Sequence, residues 1–184
     1  MIPSNQGSDT AQLVQTVNLG KPTMAVAWRP DGKRFAAVGF GNLGVWETAT
    51  GKRVATPAMW AFGSSVVYSP DGRILVVHKA GKTHEDMTLL AWLDAKDHHV
   101  IREIEGYPAT QSMAFSPDSK LLAVGSDKYK GEPNVVTVFD TAEGNLLVKL
   151  IPAIPDGWRS AKAHRCAAIH HQMHRRLTFF TVYF

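Results

Sequence analysis

The densest group of metal-ligating residue types lies near the end of the chain: His164, Cys166, His170, His171 and His174. On a helix, His170 and His174 would stand one turn apart and could share a metal ion. The segment has no helix cap, no nearby Asp or Glu and no second cysteine, and it reads better as strand, so no metal site and no cofactor are assigned. His98 and His99 would face opposite sides of a strand, which suits surface placement better than catalysis. Asp31, Asp71 and Asp118 recur as candidate acids or bases, but each follows a proline in a turn that explains it fully. The sequence has no nucleophile elbow, phosphate loop or zinc-type cysteine spacing. Its lone cysteine excludes an intramolecular disulfide.

The turns that hold those aspartates organise the chain. RPDGKR (residues 29–34), SPDGR (69–73) and SPDSK (116–120) repeat one punctuation three times. Proline fixes φ near −65°, aspartate can bond its own backbone, and glycine accepts the positive φ that closes a short hairpin loop. Pro30-Asp31-Gly32 and Pro70-Asp71-Gly72 therefore predict hairpin turns. Pro117-Asp118 is followed by Ser119, which either bears a left-handed backbone at a cost of about 1 kcal/mol or adopts another turn type.

Short apolar runs flank each turn: MAVAW, SVVYS and SMAFS before, RFAAVG, RILVVH and KLLAVG after. Runs so short, between turns so frequent, predict strands buried on both faces and not helices. A third strand follows, ending in Trp46, Trp92 or Phe139, and five residues on comes a further turn residue, Gly51, Asp97 or Gly144. A fourth strand completes each unit: KRVAT, HVIREI and NLLVKL. The prolines at 30, 70 and 117 set steps of 40 and 47 residues. Four strands repeating at that period predict an all-β fold of four-stranded antiparallel blades.

MAFSPDSKLLAVGS followed by VVTVFDTAEGNLLVKL resembles a unit of the WD-repeat β-propeller family, and VAWRPDGKRFAAVG with LGVWETATGKRVA is nearly as close. The resemblance covers roughly residues 13–150. The Gly-His pair that the family often places before the innermost strand is absent from all three units, and only Phe139 is followed by aspartate. The repeats are degenerate, so packing is expected to hold the blades more than buried polar networks.

About three blades are expected, in an incomplete ring, because propellers have about four to eight blades. The boundaries read as a disordered segment over 1–11, blades over 12–150 (units around 24–60, 65–105 and 112–150), and a basic, His-rich tail over 151–184 that resembles a truncated further blade. QLVQTVNL (12–19) resembles an unmatched outermost strand. After Asp156 the tail has no acidic residue, while Arg159, Lys162, Arg165, Arg175 and Arg176 give it +5, so with +4 for the whole chain residues 1–156 carry 4 − 5 = −1. No aromatic–basic platform accompanies these charges, so neither nucleic acid nor membrane is expected as a partner. With 45% hydrophobic and 20% charged residues, no long apolar run and no secretory signal at 1–8, the expected location is cytoplasmic.

The resemblance implies a non-catalytic protein–protein interaction scaffold. The innermost strands carry Met24, Ala25, Val26, Ser65, Val66, Val67, Ser112, Met113 and Ala114, none of which serves as acid, base or metal ligand at a central channel. The alternative is a propeller enzyme or sensor domain whose active part lies in sequence beyond this chain. Proline-to-aromatic spacing grows from 16 residues in the first unit to 22 in the other two, so the loops before the third strands expand on one face. Lys82, His84, Glu85, Lys128 and Tyr129 sit on those loops, and Trp60, Phe62 and Tyr107 on the adjacent loops leading into innermost strands. Aromatic residues ringed by charge predict a protein-binding surface there. The partner's identity is open, and bare side faces of the end blades also predict self-association.

Overall fold

The computed structural model describes residues 15–57, 62–80, 89–105, 110–126 and 135–151. These form twelve strands and no helix. Blade 1 holds β1 (Thr23–Trp28), β2 (Arg34–Gly39), β3 (Asn42–Glu47) and β4 (Arg53–Ala55). Blade 2 holds β5 (Phe62–Tyr68), β6 (Ile74–Ala80), β7 (Leu89–Asp94) and β8 (Val100–Glu105). Blade 3 holds β9 (Thr110–Phe115), β10 (Leu121–Ser126), β11 (Val135–Asp140) and β12 (Leu146–Leu150). Each blade is an antiparallel sheet whose strands pair strictly in chain order. The described residues form three blades of an unclosed propeller ring.

The three Pro-Asp turns are built alike. Gly32, Gly72 and Ser119 take φ of 67°, 70° and 63°, and each donates its amide three residues back, to the carbonyl of Arg29, Ser69 or Ser116. Asp31, Asp71 and Asp118 accept the amides of Lys33, Arg73 and Lys120 through Oδ1, so the aspartates are turn caps. Of the two turns open to Pro117-Asp118-Ser119, the structure takes the strained one. The Ser119 hydroxyl gains a contact from it, accepting the Asp71 amide at 3.0 Å across the boundary between blades 2 and 3.

The second turn of each blade corrects the sequence alignment. Gly51, His98 and Gly144 occupy the equivalent left-handed position, with φ of 65°, 65° and 64°, bonded to the carbonyls of Glu47, Asp94 and Asp140. The turn residue of the second unit is thus His98 and not Asp97, and His98 and His99 lie in a turn instead of on opposite faces of a strand. The same one-residue offset runs into β7. Trp46 pairs with Phe35, Phe139 with Leu122, but Leu93 with Leu75; Trp92 pairs with Val76. Trp92 therefore does not stand where Trp46 and Phe139 stand. Because side chains alternate along a strand, it points to the opposite face of its sheet.

That alternation sorts the core into two interfaces. Ala36, Val38, Leu43 and Val45 of blade 1 share one buried cluster with Val66, Tyr68, Leu75 and Leu93 of blade 2. Val76, Leu90 and Trp92 of blade 2 share another with Leu122, Val124 and Phe139 of blade 3. Each blade thus turns one row of large residues toward its predecessor: Tyr68-Leu75-Leu93 in blade 2 and Phe115-Leu122-Phe139 in blade 3. The equivalent row of blade 1, Trp28-Phe35-Trp46, has no preceding blade to meet among the described residues. Its rings pack on one another, Trp28 edge-on to Phe35 at 5.5 Å and Phe35 stacked with Trp46 at 5.7 Å, with the Arg53 guanidinium over Trp46.

Residues 15–19 lie at the margin of that row. Gln15 and Val17 lie against Gly51, so close that a Cβ there would meet Gln15 Nε2 at 2.6 Å. Arg102 of β8 lies against Gly144 in the same manner. Residues 15–19 therefore lie beside blade 1 where an outermost strand would lie, but they form no strand, whereas the sequence predicts one over 12–19.

Candidate functional site

Strictly antiparallel order puts both hairpin turns of each blade at one end of the sheets. The connections between second and third strands, and those between blades, lie at the other. At that end β2 and β3 are joined by Phe40 and Gly41 alone, whereas β6–β7 and β10–β11 are joined by residues 81–88 and 127–134. Of the residues singled out for protein binding, Phe62 opens β5 at this end. Trp60, Lys82, His84, Glu85, Tyr107, Lys128 and Tyr129 lie outside the described residues.

At the same end, a polar group crosses between blades 2 and 3. Ser64 Oγ donates to the Thr110 carbonyl at 2.8 Å and lies 2.7 Å from His78 Nδ1. The single hydroxyl hydrogen is committed to Thr110, so Nδ1–H donates to Oγ and Nε2 remains a bare acceptor. His78 is 1% exposed and its Nε2 has no hydrogen-bond partner among the described residues. Burial pushes its pKa down to about 4, which keeps the ring neutral. A serine bonded to a histidine invites a nucleophilic reading, but here the hydroxyl is spent on a backbone carbonyl and the imidazole is sealed from solvent. The arrangement fastens two blades together. It stands beside the packing that the degenerate repeats lead one to expect, and His78 was not singled out in the sequence. The available signal was a histidine ending the otherwise apolar run RILVVH.

At the opposite end, Asp94, Asp97 and His99 bring ligand atoms within 4.8 Å of one another, close enough to surround a cation. Their groups already serve the turn. Asp94 Oδ1 accepts the amides of Lys96 and Asp97, and Asp97 Oδ1 accepts the His99 amide and lies 2.5 Å from His99 Nδ1. Those bonds lower the Asp97 pKa and raise that of His99. Tyr68, at the interface of blades 1 and 2, is raised to about 12 by burial, with Arg29 and Arg34 opposing, so its phenol stays protonated. Neither feature provides an open pocket.

The aromatic strand ends are buried: Trp46 is 4% exposed, Trp92 1% and Phe139 3%. Trp92 and Phe139 meet edge to face across the interface of blades 2 and 3, with centroids 5.9 Å apart.

Comparison with known proteins places this architecture. Residues 99–129 match the family described as WD domain, G-beta repeat. No curated protein matches the sequence. Among solved structures, Kuenenia stuttgartiensis hydrazine synthase is similar with TM-score 0.66 and 19% identity, over 75% of this chain and 39% of that one. The RRP9 WD40 repeats are similar with TM-score 0.60 and 17% identity, over 71% and 38%. A eukaryotic initiation factor gives TM-score 0.58 and 18% identity, over 76% and 35%. The chain spans well under half the length of each, and at these identities the likeness is one of fold. No helix among the described residues is long and apolar enough to cross a membrane.

Proposed function

We propose that this run of WD-repeat propeller blades is a non-catalytic scaffold for protein–protein interaction, acting in the cytoplasm, with its binding surface at the end of the blades that carries the expanded loops. The observation that carries the reading is the contrast between the connections. Two residues join β2 to β3, while residues 81–88 and 127–134 join the corresponding strands of blades 2 and 3. Insertions gathered at one end of otherwise equivalent sheets are a common way to build a recognition surface on repeats. Trp60, Phe62 and Tyr107 would supply its aromatic anchors, and Lys82, His84, Glu85, Lys128 and Tyr129 the polar rim. The described polar groups support a binding role by being otherwise engaged: the aspartates cap turns, and Ser64 and His78 bind blade to blade.

The test is affinity for a protein partner captured by the full chain. Replacing Trp60 and Tyr107 together by alanine is expected to cost about 2 kcal/mol or more, as truncation of hot-spot aromatics does. Unchanged affinity in a variant with unaltered thermal unfolding would overturn the assignment of the surface.

A further inference from the structure

At the hairpin-turn end, the boundary between blades 1 and 2 carries polar groups where the boundary between blades 2 and 3 carries none. The residue that opens the Pro-Asp turn is Ser69 or Ser116 in the later blades, each bonded to its turn aspartate, but Arg29 in blade 1. The residue that opens the second strand, opposite Glu47, Asp94 or Asp140, is Ile74 or Leu121 in the later blades but Arg34 in the first. Ile74 packs with Phe115 in the cluster between blades 2 and 3, and the equivalent positions across the first boundary are Arg34 and Tyr68. Arg34 shares the face of Ala36 and Val38, which meets blade 2. The left-handed turn position is Gly144 in blade 3 but His98 in blade 2. Gly144 leaves the space that Arg102 fills; in blade 1 the small Ala55 stands in the register of Arg102, and His98 brings the side chain instead. Arg29 also reaches across, its Nε 3.8 Å from where a Cβ on Gly72 would stand.

These exchanges gather donors without an acceptor. Tyr68 and His98, 6% and 9% exposed, bury Oη and Nε2 with no hydrogen-bond partner among the described residues. The Arg34 guanidinium has no ion pair among them. Burial raises the Tyr68 phenol and lowers the His98 imidazole, and the charges of Arg29 and Arg34 bear on both groups. The neighbouring carboxylates are engaged. Asp31 Oδ1 accepts the Lys33 amide and Oδ2 lies 3.7 Å from Arg29 Nη1, while Asp94 and Asp97 hold the amides of their own turn. His98 bears a left-handed backbone that glycine would take without strain, and it buries an unbonded nitrogen as well. Such costs gathered at one residue are offset by what the side chain does there.

We propose that the turn end of this boundary binds a small tetrahedral oxyanion of the phosphate type. Arg29 and Arg34 supply charge and forked donors from blade 1, and Tyr68 Oη–H and His98 Nε2–H supply donors from blade 2. Oxygens pointing in several directions suit donors that arrive from two sheets, which a planar carboxylate serves less well. The half-buried arginines stand at the solvent edge, turn aside to admit the anion and close on it. The anion then joins blade 1 to blade 2, as the Asp71–Ser119 bond joins blade 2 to blade 3. This site lies at the opposite end from the proposed protein-binding loops, so failure of either reading leaves the other standing.

Calorimetric titration of the full 184-residue chain with inorganic phosphate, at ionic strength held constant with sodium chloride, is expected to show saturable binding with Kd of about 1 mM or tighter. The variants take the residues that the other blades hold. Arg34→Ile is expected to weaken binding about tenfold or more, and Tyr68→Phe and His98→Gly about threefold each. Phosphate is expected to raise the thermal midpoint of the unaltered protein and not that of Arg34→Ile. If circular dichroism shows Arg34→Ile misfolded, Arg34→Gln replaces it with the same expectation. Glycerol phosphate is titrated in parallel: equal binding assigns the site to a phosphoryl group on a larger solute, binding of inorganic phosphate alone assigns it to the free ion, and either supports the site. Heats no different from those of added chloride would assign the Tyr68 and His98 atoms to ordered water and overturn the proposal. So would phosphate binding that the variants all leave unchanged.

Discussion

The two interfaces between blades are made differently. Between blades 1 and 2 the buried cluster is aliphatic, with Tyr68 as its one aromatic residue and that hydroxyl without a partner among the described residues. Between blades 2 and 3 the aliphatic residues are joined by the Trp92–Phe139 contact, the Ser64–Thr110 bond and the Asp71–Ser119 bond. Among the described residues, the first interface is set chiefly by shape and area. The second adds directional contacts, which fix the angle and register between sheets as well as their proximity. One strand serves both: in β7, Leu93 points into the first and Trp92 into the second, so each can be weakened separately.

The largest effect is expected from Trp92→Ala, which should lower stability by about 3–5 kcal/mol in chemical denaturation. Leu93→Ala, aimed at the other interface, should cost about 2–5 kcal/mol. A Trp92→Ala protein with an unchanged midpoint would remove the indole from the core and dissolve the contrast.

Acidity should act next, and mainly on the second interface. His78 titrates near 6.5 unfolded and about 4 in the fold. Below pH 6.5 the unfolded chain takes up a proton that the folded chain refuses, so stability falls until pH reaches about 4 and then levels. The full loss is about 3 kcal/mol. His98, lowered chiefly by burial, contributes in the same direction. The His78 share is therefore the difference between the unaltered protein and His78→Gln, read as urea midpoints from pH 7 to 4. Identical pH slopes for the two proteins would contradict the placement of His78.

The smallest effect separates strain from contact at Ser119. Ser119→Ala keeps the left-handed backbone and loses the bond from Asp71, for a cost of about 1 kcal/mol. Ser119→Gly loses the same bond but relieves about 1 kcal/mol of backbone strain, so it should be nearly neutral. A thermal shift showing glycine no better than alanine would mean that the turn holds no strain.

What the sequence revealed followed the range of the physics involved. Pro-Asp-Gly turns are decided by a few adjacent torsions, so they were readable directly, and the four-stranded units followed from them. Ser119 marked the limit: its own preferences left two turns open, and a contact with the neighbouring blade chose one. Trp92 was aligned with Trp46 and Phe139 by counting forward from the prolines, across loops of unequal length. Counting back from the left-handed turn at Gly51, His98 and Gly144 gives Leu93 instead. A histidine in a turn position usually held by glycine concealed that marker. His78 was invisible for a different reason: its partner Ser64 stands at an irregularity of the neighbouring strand, and the Thr110 carbonyl that takes the Ser64 hydroxyl hydrogen arrives only when two blades close. For the proposed binding loops, sequence supplies length and composition, and of the residues named there only Phe62 falls among the described strands.

The strict chain-order pairing of the strands has a consequence for how the protein is made. Every sheet closes on contacts between consecutive strands, so the ladder of blade 1 can be complete once residues 23–55 have left the ribosome. Its Ala27-Ala36-Val45 side then waits, bare, until blade 2 is synthesised and folded against it. Each added blade covers one apolar side and presents another, so the nascent chain never lacks an adhesive end. Translation speed through the second and third units, by setting how long each such end stays uncovered, becomes a determinant of yield.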